Sequence, residues 1–304
     1  MKFHIIISLV ILLIFVTIRY ILPLLLILIF NINSAEKGLI KNFFLGFSWI
    51  EFTSWVLFII LAINIFIIVG NWLNMNSTST LLVFILTLTF NITILSYDFI
   101  VYPILLRLRK TTYIEHPRFQ EIILKKFNKN ISVRILNYDI LNAFATGVLP
   151  YDKIILLGKP LLDKMNGQQA EAILYHEYGH LKNNHISKLF LLNIISTTFF
   201  TYMMVYHTSS LEFLFTGANK HSLSVCILAG SLSGILSSIV FYVQRNMEYE
   251  ADEFSRKQIG SEALVSSLIT LNELSGGKME KASSTHPTLK KRIEHITKFD
   301  QSEK

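Results

Sequence analysis

The chain has 304 residues, 52% of them hydrophobic and only 16% charged, with a mean hydropathy of +0.47. That balance excludes an ordinary soluble domain and points to an integral membrane protein with a soluble part. A net charge of +7 raises nucleic acid as a partner. However, the Lys and Arg residues flank apolar runs or scatter through polar segments, with no basic stripe interleaved with aromatics, so no nucleic-acid partner is expected.

The first apolar run extends from Phe3 to about Phe30. It is longer than a signal-peptide core and lacks a small-x-small cleavage site after it, so it reads as an uncleaved span, kinked near Arg19 and Pro23. Two further runs cover roughly Trp49 to Val69 and Leu81 to Leu106, joined by an uncharged linker. After a soluble stretch come runs at roughly Lys188 to Tyr206 and Leu223 to Val243. The count is about five spans, and basic flanks orient them. Lys37, Lys41, Arg107, Arg109, Lys110, Arg245, Arg256 and Lys257 all fall on the cytoplasmic side if the N-terminus is outside. Cys226, the single cysteine, sits in the last run as a small hydrophobe and excludes disulfide or thiolate-metal chemistry. Gly230 and Gly234 in the same run form a small-xxx-small pair suited to packing against a neighbouring helix.

Within 107–187 the pattern is mixed. Pro117 to Lys129 reads as a helix, 131–137 ("ISVRILN") and 153–158 ("KIILLG") as strands, and 142–147 ("NAFATG") as a short extended segment. A helix is expected from near Asn166, where Asn166 and Gln169 have capping-box spacing, to about Asn184.

That helix carries "HEYGH". His176 and His180 at i and i+4 share a face, where two imidazoles hold one Zn²⁺, and Glu177 stands beside the first as a general base for an activated water. By chance alone such a motif arises in about one chain in a hundred of this composition, so its context matters. A catalytic zinc needs a third protein ligand and an open position. Position 186 is Ile, which excludes the pattern with a His six residues past the second; His185 is one residue off and expected on the wrong face. The alternative is an acidic helix just past the last apolar run, "QRNMEYEADEFSRK". Glu248 and Asp252 are four apart there, the first suited to ligate zinc and the second to accept the N–H of a ligand imidazole. Glu250 and Glu253 compete as ligands but lack an acidic partner four residues on.

The segments "HEYGHLKNNH", "NAFATG", "EYEAD" and "STHPTLKKRI", in this order over about residues 115 to 297, resemble the HtpX-like zinc metalloproteases. That family also includes the CAAX prenyl endopeptidases and the mitochondrial Oma protease. The resemblance implies one Zn²⁺ per chain on His176, His180 and Glu248, with Glu177 as base and Asp252 supporting a ligand imidazole. It further implies that Asn142, Ala143, Phe144 and Ala145 lie on an edge that pairs with substrate backbone, that His286 stabilises the oxyanion, and that Arg292 helps order the site. The chain departs from the family before residue 100, where three apolar runs stand in place of the usual two spans.

The expected architecture is mainly α: a polytopic helical membrane protein with a gluzincin-type α+β protease domain carrying a small sheet. It divides into an N-terminal membrane region (1–106), a protease part with the sheet and HExxH helix (107–187), two spans (188–243) and a protease part with the third ligand (244–304). The expected function is a zinc endopeptidase of the cell membrane, facing the cytoplasm, that contacts lipid and cuts peptides or membrane proteins. The rival is a membrane sensor whose zinc site is structural or self-cleaving.

Overall fold

The computed structural model describes residues 80–108, 113–136, 141–206 and 220–302, apart from 282 and 284. The first two expected spans lie outside these residues. Helix α1 (Thr80–Ser96) passes through a π-helical turn (Tyr97–Val101) into α2 (Tyr102–Leu108). A short strand β1 (Tyr113–Glu115), helix α3 (Pro117–Phe127) and strands β2 (Ser132–Leu136), β3 (Ala143–Thr146) and β4 (Ile154–Gly158) follow. Then come α4 (Lys159–Lys164), α5 (Gly167–Lys182), α6 (His185–Tyr206), α7 (Lys220–Ile259), α8 (Ser261–Leu274) and α9 (Leu289–Ser302).

Local chemistry sets most of these boundaries. Pro117 at the first turn of α3 and the His116 ring, which accepts from the Phe119 N–H, start that helix. Helix α5 opens on a reciprocal capping box: Asn166 Oδ1 accepts from Gln169 N–H, and Gln169 Oε1 accepts from Asn166 N–H. It stops at Lys182 because Asn184 takes a left-handed conformation (φ 55°), and α6 begins at the next residue.

The sheet runs β1-β2-β4-β3, with β2 and β4 parallel and the outer pairs antiparallel. Strand alternation sorts its side chains. Val133, Ile155 and Leu157 face the main core with Phe119, Ile123, Ile173, Leu174 and Phe254. Leu136, Ile154 and Leu156 face the other way, toward Tyr102. Strand β3 is an edge. Gly147 ends it at φ 103°, where an added Cβ would lie 2.5 Å from Asp152 Oδ1, so only glycine fits this turn.

Two helical stretches are long and apolar enough to cross a membrane, Phe84–Leu105 and His185–Met203. Only 22% and 11% of these windows are buried within the chain, which is not the pattern of core helices in a soluble protein. The last expected span belongs to α7, whose 40 residues reach about 60 Å. The apolar run and the acidic segment behind it are one unbroken helix, so the expected boundary at 243/244 falls inside it. Ile227, Leu228, Ile235 and Ile239 are exposed along its first half. Gly230 and Gly234 meet no other group within 4 Å of a built Cβ, so their small-residue face has no neighbour among the described residues.

Helices α5 and α7 pack directly on each other. A Cβ on Gly179 would sit 3.2 Å from Ala251 Cα and 3.3 Å from Phe254 Cβ, so this glycine sets how closely the two helices approach. The Ser255 hydroxyl donates to the Ala172 carbonyl across the same seam at 2.7 Å. Replacing Gly179 with Val is expected to overpack this contact and cost about 1–3 kcal/mol. Thermal unfolding of the detergent-solubilised protein checks it; an unchanged midpoint means that the helices separate freely here.

Candidate metal centre

The two helices that meet at Gly179 carry the chemically active side chains. On α5, His176 and Glu177 are buried and His180 is nearly so. On α7, Glu248 and Asp252 are buried, one helical turn apart. His176 Nε2 and His180 Nε2 lie 3.2 Å apart, and the Glu248 carboxylate oxygens stand 3.6 Å from each of them.

These three distances test whether a zinc ion fits. Tetrahedral zinc with bonds of about 2.0–2.1 Å has ligand-to-ligand edges of about 3.3–3.4 Å. The imidazole–imidazole edge of 3.2 Å is close to that value, and each imidazole has its own Glu248 oxygen at 3.6 Å, Oε2 for His176 and Oε1 for His180. The donor set, two imidazoles and one carboxylate with their atoms within 4.8 Å of one another, is one zinc favours. Three protein donors leave a fourth position for a water or a substrate oxygen.

Behind this triangle stands a buried charged chain. His176 Nδ1 donates to Asp252 Oδ1 at 2.9 Å. Arg292, from α9, donates through Nε to Asp252 Oδ2 at 2.7 Å and through Nη2 to Oδ1 at 2.5 Å. Arg292 Nη2 also lies 3.4 Å from His176 Nδ1, but both atoms are donors, so that approach follows from their shared acceptor. With Nδ1 holding its proton toward Asp252, Nε2 is the His176 nitrogen left to give its lone pair to a cation once its own proton is displaced.

Electrostatics agree with a cation site. Burial disfavours a charged His176 ring, yet hydrogen bonds to Asp252 and Glu248 outweigh it and push its pKa up to about 10. The site therefore draws positive charge to the place where zinc would sit. His180 goes the other way: burial and the neighbouring His176 charge bring it down to about 3, which keeps its ring neutral. Burial also opposes ionisation of Glu248 and Asp252, but His176 and Arg292 hold both carboxyls below their ordinary range. Glu177 is pushed up to about 7, chiefly by burial and then by the charge of Glu248, against the opposing pull of His176 and Arg292. The Ala145 backbone N–H on β3 donates to its carboxylate, so the edge strand and the HExxH helix meet at this residue.

The remaining expected site residues gather at the same place. Asn142, Ala143, Phe144 and Ala145 line one wall of a cleft of about 520 Å³ that also holds His176, Glu177, His180 and Glu248. The Asn142 side chain accepts from the Ala143 N–H, and its carbonyl accepts from the Gly158 N–H, bracing the start of β3. His286, on the opposite rim, is 59% exposed, with Nδ1 3.1 Å from Glu248 Oε2. Of the competing acids, Glu253 pairs with Lys257 and stands outside the triangle.

Two site residues were missed. His185 is fully buried, and its Nδ1 lies 3.0 Å from His180 Nδ1. Its Nε2 lies 2.9 Å from Glu250 Oε2. As expected, His185 is not part of the donor set; what spacing did not foresee is that the left-handed Asn184 ends the helix and turns His185 onto the Nδ1 side of His180, away from the donors. The available signal was the Asn-Asn pair before it, since Asn tolerates that conformation better than most residues.

A model of peptidase family M48 matches residues 119–300. The chain is 26% identical over 185 residues to "Protease HtpX" of Haemophilus influenzae strain PittEE, a match covering 54% of this chain and 65% of that protein. It is 30% identical over 175 residues to "Protease HtpX homolog" of Neisseria meningitidis serogroup C, covering 51% and 61%. These matches span less than two thirds of either relative. In fold the chain is similar to the crystal structure of S. mikatae Ste24p, with TM-score 0.55 and 19% identity, covering 77% of this chain and 61% of that one.

Two outcomes follow from the site's charges. Below pH 10, zinc must displace the proton from His176, so affinity is expected to fall about tenfold per pH unit lost, with one proton released per zinc at pH 7. Zinc titration calorimetry in buffers of different ionisation enthalpy measures this; zero proton release contradicts it. Replacing Arg292 with Leu strands the buried Asp252 charge and is expected to cost about 3 kcal/mol or more, read from denaturant unfolding.

Proposed function

The chain belongs to peptidase family M48, and from that premise we propose that it is a membrane-embedded zinc endopeptidase. The reading takes His176, His180 and Glu248 as the zinc ligands of the single metal ion in the chain. The observation that carries it is the group of two imidazoles and one carboxylate in a cleft that also holds a buried carboxylate, Glu177, whose pKa of about 7 suits proton transfer at neutral pH.

Zinc bound there supplies Lewis acidity, which polarises the scissile carbonyl and acidifies a water. The chain's own residues do the rest. Glu177 accepts the proton of the attacking water on its carboxylate and passes it to the leaving amine. His286, on the exposed rim next to Glu248, is placed to donate to the oxygen that gains negative charge. Asp252 and Arg292 hold the His176 ring in the tautomer and orientation that ligation requires.

Substrate binds as an extended peptide along Asn142–Ala145. These residues form a sheet edge beside Glu177, and an antiparallel strand added there gains main-chain hydrogen bonds. The cleft also has apolar residues from the membrane-side helices, Ile186 and Leu189 on α6 and Met247 on α7. This favours membrane proteins or peptides cut near the bilayer surface. The distribution of Lys and Arg beside the apolar runs supports a cytoplasmic active site in a multi-pass protein of the cell membrane.

Replacing Glu177 with Gln is expected to leave zinc content at one per chain and to lower cleavage of an unfolded test protein by at least about a hundredfold. Metal analysis and a gel-based cleavage assay on the same preparation check both. Normal cleavage by this variant would falsify the assignment of the base.

A further inference from the structure

The two imidazoles of the metal triangle are supported in different ways. His176 donates its Nδ1–H straight to a carboxylate, Asp252. His180 meets a second imidazole, with His185 Nδ1 at 3.0 Å, and that ring meets Glu250 Oε2 at 2.9 Å. We propose that His185 and Glu250 are positioning residues for the metal centre, a two-step hydrogen-bonded relay that fixes the tautomer and orientation of the His180 ligand. This rests on the zinc site proposed above and assigns it two further residues.

The proton directions follow from donor and acceptor chemistry. An ionised carboxylate only accepts, so His185 Nε2 carries the proton toward Glu250. A neutral His185 then presents a lone pair at Nδ1 and accepts the His180 Nδ1–H. That leaves the His180 Nε2 lone pair facing His176 Nε2 and Glu248, where the cation binds. Burial of His185 excludes water as a substitute acceptor, since its side chain is fully enclosed.

The fold holds the relay from two sides. The turn that presents His185 is pinned by Lys153, whose Nζ donates to the Leu181 carbonyl at 3.2 Å and to Asn184 Oδ1 at 3.4 Å. Glu250 stands on α7, two residues from Glu248, and its half-exposed carboxylate also has Lys188 Nζ at 4.0 Å. His185 is the first residue of α6, so the relay joins the HExxH helix, a candidate membrane span and the helix of the third ligand. An imidazole between carboxylate and ligand transmits less polarisation than direct contact, so its loss is expected to weaken zinc less than loss of Asp252.

The test measures zinc dissociation constants by chelator competition on the full chain in detergent, for wild type and for His185→Leu, His185→Asn and Glu250→Ala. Melting temperatures and the visible absorption of the cobalt-substituted forms are recorded alongside. His185→Leu is expected to lose about tenfold or more in zinc affinity and to change the cobalt band. His185→Asn, whose side-chain oxygen lies near the Nδ1 position, is expected to recover to within about threefold of wild type. Glu250→Ala is expected to fall between them. Wild-type affinity and spectrum in His185→Leu overturn the relay, as does a His185→Asn variant no better than His185→Leu. If His185→Leu does not fold, Glu250→Ala decides, and wild-type affinity there overturns the relay. If the wild type itself binds no zinc, the peptidase reading falls with it; if it binds and the variants bind equally, only the relay falls.

Discussion

The site depends above all on the Asp252 carboxylate, buried where three helices converge. It accepts from His176 on α5 and from the Nε and Nη2 edge of the Arg292 guanidinium on α9, while belonging itself to α7. An isolated charge at that depth costs several kcal/mol, and only full hydrogen bonding in good geometry offsets it. The arrangement therefore tolerates little displacement of any of the three helices. That same intolerance aligns the His176 lone pair with those of His180 and Glu248.

Close backbone approach makes this possible. Gly179, on α5 between His176 and His180, faces Ala251 on α7, and Ser255 bonds across the seam. The carboxylates of Glu248 and Asp252 ride on a helix whose other half carries exposed Ile227, Ile235 and Ile239. The apolar segment and the turn that carries Glu248 and Asp252 therefore belong to one continuous helix. Helix α6 is attached to the same centre through His185, and the sheet edge through the Ala145 N–H on Glu177.

Relations confined to one helical turn were legible in the sequence. The spacing of His176 with His180, and of Glu248 with Asp252, places each pair on one face wherever the helix goes, because helical periodicity is local. The same holds for the Asn166–Gln169 capping box and for the alternation that sends Ile155 and Leu157 to one side of the sheet. Apolar length alone marks the stretches now seen as Phe84–Leu105 and His185–Met203 as able to cross a membrane.

Tertiary structure decided what spacing does not encode. His185 stays outside the donor set, as its offset indicated, but a left-handed Asn184, contacted by Lys153 just before β4, turns it onto the Nδ1 side of His180. Glu250 looked like a rival ligand by composition, and only the packing of α6 against α7 gives it to His185 instead. The polarity change near residue 243 reads as a boundary, yet backbone hydrogen bonding in a helix is indifferent to whether its side chains meet lipid or water, so α7 continues unbroken. Strand β1, three residues long, is too short to carry a period and exists through its pairing with β2. The sequence by itself determined which residue types share a helical face. The fold determined which faces meet, because burial and hydrogen-bond satisfaction at Asp252 and His185 are properties of several segments at once.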